Sequence, residues 1–200
     1  MVNKRVKLTS AYIARVALMA ALLTTLKLAF SFIPNVEVVT LLILVFSSSF
    51  GLIYSLPATL IFCLTEMLIY GFNSWVVLYF VYWPLLAVIS AVLLKRKNVA
   101  AAVIISAFLS FVFGVLSACA DTLFCVMKLS GPDLAKYFVA YYLRGLYFDV
   151  IHIVSSSVIV LVLFRPLTAV CRKVMPKPYN SVVTSERRLI NSDYEYIREK

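Results

Sequence analysis

The sequence predicts an all-α membrane protein: a six-transmembrane-helix bundle with its N- and C-termini in the cytoplasm. Three observations carry that prediction. Of the 200 residues, 63% are hydrophobic and only 14% charged, whereas soluble domains run at about 45–50% apolar and about 25% charged. A mean hydropathy of +0.97 is more apolar surface than a soluble core of this length can hide, so the solvent must be lipid. The basic residues are also clustered between long apolar runs rather than spread through them. Continuous runs in place of strict alternation exclude a closed β-barrel.

A spanning helix needs about 20 predominantly apolar residues, and six segments answer: 11–33, 37–50, 52–70, 75–94, 99–127 and 138–164. The first is not a cleaved signal peptide, because Lys27 interrupts it and further spans follow. The second is short, and its boundary with the third falls around Ser47-Ser48-Ser49-Phe50-Gly51. Counting from a cytoplasmic start places the turns at 34–36, 71–74 and 128–137 outside, and those at 48–51 and 95–98 inside. Lys95-Arg96-Lys97 then lies inside, as the positive-inside rule expects, whereas fusing the second and third segments would place it outside. Residues 1–170 are therefore read as one membrane domain and 171–200 as a flexible cytoplasmic tail.

The formal charge of +10 does not indicate a nucleic-acid partner. Lys4, Arg5, Lys7 and Arg15 sit at the front, three basic residues at 95–97, and eight from Arg165 onward. That is the distribution of cytoplasmic segments flanking a lipid bilayer.

Ionisable side chains inside a span are costly and are functional candidates by default. On the fifth span Ser106, Ser110, Gly114, Ser117, Asp121, Cys125 and Lys128 recur at spacings of 3 and 4, which keeps them on one helix face. Tyr141, Gly145, Asp149, His152 and Ser156 do the same on the sixth. Helix packing through small residues explains many of the serines and glycines. In the six-span count Lys27, Glu66, Asp121 and Arg144 lie in the outer halves of their helices, Glu37 at the outer start of the second, and Asp149 with His152 near mid-depth. Trp75, Tyr79 and Tyr82 on the fourth span, with Tyr137, Tyr141, Tyr142 and Tyr147 on the sixth, add rings to the same end. An interfacial aromatic belt accounts for rings. An outward-open cavity holding a small amphipathic molecule accounts for rings and charges of both signs together.

Enzyme chemistry finds little footing, and the chain is read as a non-enzyme with no cofactor and no metal site. It has one histidine, no HExxH, no GxSxG and no phosphate-binding loop. The four cysteines form no CxxC pair. Asp149 and His152, three residues apart, could form an acid–base pair, but no nucleophile stands beside them. Without a nucleotide motif the chain cannot energise transport alone.

On the first span Ser10, Ala14, Ala17, Ala21 and Thr24 form a strip of small residues that permits close approach of another helix. Together with Ala17-Leu-Met-Ala-Ala21, the segments Ser31-Phe-Ile-Pro-Asn-Val-Glu-Val-Val-Thr40 and Leu68-Ile-Tyr-Gly-Phe-Asn-Ser-Trp75 resemble the substrate-binding subunits of energy-coupling factor (ECF) transporters. The resemblance covers about residues 1–170, and Ile33-Pro34-Asn35-Val36-Glu37 is its most specific piece. It implies a prokaryotic cell-membrane protein that captures a vitamin or related micronutrient from outside. It also implies docking through Ala17 and Ala21 on a transmembrane coupling subunit that carries two cytoplasmic ATPase subunits. Pro34, Asn35, Glu37, Asn73 and Trp75 match as loop positions. No riboflavin-, thiamin- or biotin-specific pattern is present, so the substrate is left open, with a cobalamin-like or nucleobase-like ligand as the expectation. The candidate substrate-binding set is Asn35, Glu37, Glu66, Asn73, Trp75, Tyr79, Asp121, Tyr141, Asp149 and His152. A self-sufficient small secondary carrier or channel is the alternative, although no inverted repeat is evident.

Overall fold

The computed structural model describes residues 9–34, 36–94, 98–125 and 131–174. Six helices follow in chain order: α1 (Ser10–Phe30), α2 (Val39–Phe50), α3 (Leu52–Tyr70), α4 (Ser74–Leu93), α5 (Val99–Cys125) and α6 (Gly131–Val174). The described residues contain no strand. All but α2 are long and apolar enough to cross a membrane. Many large apolar side chains face outward, as lipid permits, and the largely apolar core also encloses a set of polar side chains. Leu68 is 83% exposed and Phe32 77%, while Thr40, Ser55, Thr59, Glu66, Ser106 and His152 are buried. An apolar side chain facing lipid loses nothing, whereas a polar one there would be unsatisfied.

Helix α2 organises the rest. Its sequence VTLLILVFSSSF is apolar on nearly every side, and a helix of that kind has to be surrounded. Ten of its 12 residues are buried, and it packs against all five other helices. At about 1.5 Å per residue it is about 18 Å long, well short of a hydrocarbon core of about 30 Å. Gly51 ends it with φ 77° and ψ 174°, a conformation that side-chain-bearing residues rarely adopt. The boundary expected near Ser47–Gly51 therefore lies at Gly51 itself, and α3 starts one residue later.

Helix starts follow capping chemistry. Thr9 Oγ1 accepts from the Tyr12 amide at 3.2 Å to open α1. Asn73 Oδ1 accepts from the Val76 amide at 3.0 Å to open α4. The largest departure from expectation is α6, anticipated over 138–164 and observed over 44 residues. Residues 131–137, expected in an outward loop, form its first turns. Pro132 needs no helical amide at this position and Asp133 complements the dipole of the first turn. At the other end Pro166 deprives the Val162 carbonyl of its usual donor, yet the helix continues to Val174. Of the positions singled out in the sequence, Asn35, Lys95–Lys97 and Lys128 lie outside the described residues, as does 175–200.

The α5–α6 pair makes the most extensive helix contact, and there the two small-and-polar stripes meet. A Cβ added to Gly114 would coincide with the Asp149 carboxyl group. Ser106, Ser110 and Ser156 are buried, and their hydroxyls have no partner among the described residues. Gly145, on the facing stripe, has open space where its Cβ would be. Gly114→Ala should therefore lower stability by about 1–3 kcal/mol through overpacking, while Gly145→Ala should raise it by up to about 1 kcal/mol through helix propensity. Thermal unfolding in detergent compares the two, and equal shifts would contradict the seam.

Candidate functional site

Because α2 begins only at Val39, the segment before it, not a helix, occupies the bundle beside the C-terminal ends of α1 and α3 and the N-terminal end of α4. A cavity of about 320 Å³ lies there, within the range of small-molecule sites. Phe30, Ser31, Ile33, Pro34, Val36 and Glu37 form its chain-segment wall, and Lys27, Tyr70, Trp75, Tyr79, Trp83, Phe113 and His152 the helical walls.

Two acid–base pairs border it. Lys27 of α1 donates to Glu66 of α3, whose side chain is 0% exposed against 15% for the lysine. The ammonium lies 4.5 Å from the Tyr79 ring centre, 5.1 Å from Tyr70, 5.2 Å from Trp75 and 5.9 Å from Phe62. Those ring faces attract the cation and take the place of its water shell. The second pair joins Glu37 to α6: His152 Nε2 lies 3.3 Å from Glu37 Oε1, and Thr40 Oγ1 donates to the same oxygen at 2.9 Å. Among the described residues no side chain bonds Glu37 Oε2.

The rings are mutually supporting. Trp75, Tyr79 and Trp83 recur at i, i+4, i+8 on α4 and meet edge to face, with centroids 5.3 and 5.5 Å apart. Phe113 closes the far wall, its ring edge-on to His152 at 5.5 Å. The indole N–H of buried Trp83 has no acceptor among the described residues.

Phe113 also borders a second cavity, of about 300 Å³, between α5 and α6. Gly114, Ser117, Tyr141, Tyr142, Arg144 and Asp149 contribute to its walls. His152 and Asp149, three residues apart on α6, thus face different spaces, and the acid partner of the imidazole is Glu37, not Asp149.

The ten residues expected to hold substrate separate into groups. Glu37, Trp75, Tyr79 and His152 line the larger cavity, and Tyr141 and Asp149 the smaller. Glu66 stands behind Lys27. Asp121 borders neither cavity: it accepts from Ser74 Oγ at 2.8 Å and from the Tyr137 hydroxyl, tying α4, α5 and α6 together. Asn73 caps α4, and Asn35 is outside the described residues. Lys27 is paired with Glu66. Tyr70, Trp83 and Phe113 were not anticipated. The i+4 step from Tyr79 marks Trp83 in the sequence, but an apolar ring within an apolar span carries no mark of its own. Ala17 and Ala21 are exposed, on a side of α1 away from its buried Val16, Met19, Ala20 and Leu23.

Comparison of the chain with protein-family models, curated proteins and solved structures gave no match.

The caged pair yields a stability prediction. Glu66→Ala leaves the Lys27 ammonium without its counter-ion and should cost about 3–5 kcal/mol. Replacing both, as Lys27→Met with Glu66→Met, should recover most of that loss. Thermal unfolding of the single and double variants checks this, and a double variant no more stable than the single would contradict it.

Proposed function

We propose that this chain is the substrate-specific membrane subunit of an ECF-type transporter, capturing a small aromatic micronutrient from outside for ATP-driven uptake by partner subunits. The observation that carries the reading is the ring-walled cavity of about 320 Å³ at one end of a lipid-facing bundle, lined by Lys27, Glu37 and His152. That volume favours a ligand the size of a nucleobase over a corrinoid. A solitary channel would need a continuous polar path, and the buried mass of α2 stands across the bundle below the cavity.

In this reading α2 counts as the sixth span and both termini are cytoplasmic. A helix enclosed by protein need not cover the hydrocarbon alone, and irregular backbone at 31–34 and 36–38 is tolerable in a membrane because it lines a cavity. The membrane is the cell membrane of a prokaryote. The exposed strip around Ala17 and Ala21 is the docking face for the coupling subunit, since small residues let two helix backbones approach closely.

Affinity purification from the native membrane tests both parts. ATPase subunits should accompany the unmodified chain and be lost from Ala17→Trp and Ala21→Trp, with helical content unchanged, because a large ring holds the coupling helix away. Absence of ATPase subunits from the unmodified preparation would contradict the reading, and their retention in both variants would remove the docking face.

A further inference from the structure

We propose that an apolar groove at the end of the bundle away from the larger cavity holds an anionic phospholipid of the bilayer, with an acyl chain in the groove and the headgroup phosphate on Arg15. This goes beyond the capture reading and does not depend on it. The groove encloses about 190 Å³ between the N-terminal half of α1 and the end of α6, where Phe46 and Phe50 of α2 also line it. Among the described residues α1 and α6 make no direct helix contact, so the space between them is left open. Leu18 and Leu22 stand on one side, Val170 and Val174 on the other, and Leu18 is 62% exposed. The wall is almost wholly apolar. Arg15, its one charged member, therefore contributes its aliphatic stem and keeps its guanidinium at the margin.

Three observations choose the occupant. The first is the charge at the margin. Arginine stays protonated in proteins, and among the described residues Arg15 has no hydrogen-bond or ion-pair partner. Every acid among those residues stands elsewhere: Glu37 lines the larger cavity, Glu66 holds Lys27, Asp121 binds Ser74, Asp133 pairs with Lys136, and Asp149 meets Gly114. Lys173, exposed on the same last turn of α6 as Val174, adds a second positive charge at this end. The second observation is the wall itself. An extended peptide would bury amide and carbonyl groups against side chains that offer them no partner, whereas an acyl chain has none to satisfy. The third is size. A helix with its side chains is about 10–12 Å across, too broad for a recess of about 190 Å³. An anionic phospholipid meets all three, because its phosphate accepts paired bonds from a guanidinium and its tail packs along apolar side chains. Ala17 and Ala21 lie about 100° round α1 from Leu18 and Leu22, so this site is separate from the proposed docking face.

Nanodiscs of equal parts phosphatidylglycerol and phosphatidylcholine test the assignment with the full chain, the retained lipid being read by native mass spectrometry. The unmodified chain should retain phosphatidylglycerol about fivefold over phosphatidylcholine, the scale of one basic side chain at an anionic headgroup. Arg15→Gln should remove that preference, and Leu18→Trp, which fills the groove, should lower retention of both lipids. Equal retention of the two lipids by the unmodified chain overturns the proposal. So does a preference that survives Arg15→Gln, or retention unchanged in Leu18→Trp. A photo-crosslinking phenylalanine analogue placed at Val174 then reports the occupant itself. It should capture phosphatidylglycerol; capture of residues 175–200, or of a second copy of the chain, overturns the proposal in favour of that occupant. The lipid ratio of the unmodified chain and the captured species both stand even where Arg15→Gln does not fold.

Discussion

The burial of α2 is the constraint on which the rest of this molecule depends. A twelve-residue helix with apolar side chains on nearly every side gains most by being enclosed, and here every other helix touches it. It is too short to fill the bundle from end to end. The half that α2 occupies becomes a packed core. The half it leaves is closed by residues 31–34 and 36–38 and the aromatic flank of α4, and there the larger cavity lies. Gly51 fixes the depth at which α2 stops, since its backbone turns through a conformation open mainly to glycine. A cavity at one end thus follows from the length of one helix.

Electrostatics then governs how the acidic groups near that cavity are held. A lone carboxylate or ammonium at membrane depth costs several kcal/mol, and the two acidic groups here are treated differently. Glu66 is fully buried and held against a lysine that four rings surround. It behaves as a structural tie between α1 and α3. Glu37 is partly exposed, lies just before the N-terminus of α2, and is bonded on Oε1 by the Thr40 hydroxyl and the His152 imidazole. Glu66 stands behind the lysine that holds it, whereas Glu37 itself lines the cavity.

Much of this was legible in the sequence, and the rest was hidden for identifiable reasons. The helices up to α5 fall within three residues of the expected spans, because lipid imposes a length and composition that the chain must display. The α2–α3 boundary was marked by its serines and Gly51. The extent of α6 was not, since a proline usually ends a helix and Pro166 does not. Glu37, Trp75, Tyr79 and His152, all in the expected substrate-binding set, line one cavity, yet position along a helix does not name a side chain's partner. Asp121 and Asp149 sit on the same seam between α5 and α6 but meet different groups: a serine and a tyrosine for the first, the bare face of Gly114 for the second. Facing directions of that kind depend on how each helix is rotated in the bundle, and periodicity along one helix does not fix rotation against another.

The central claim is that the cavity above α2 holds a small molecule taken from outside. Native mass spectrometry of the chain, purified gently from its own membrane, tests it most directly. The account predicts a retained non-lipid adduct on the unmodified chain that disappears when Trp75 and Tyr79 are both replaced by alanine. A chain that carries only lipid, or an adduct that persists unchanged in the double variant, would contradict it.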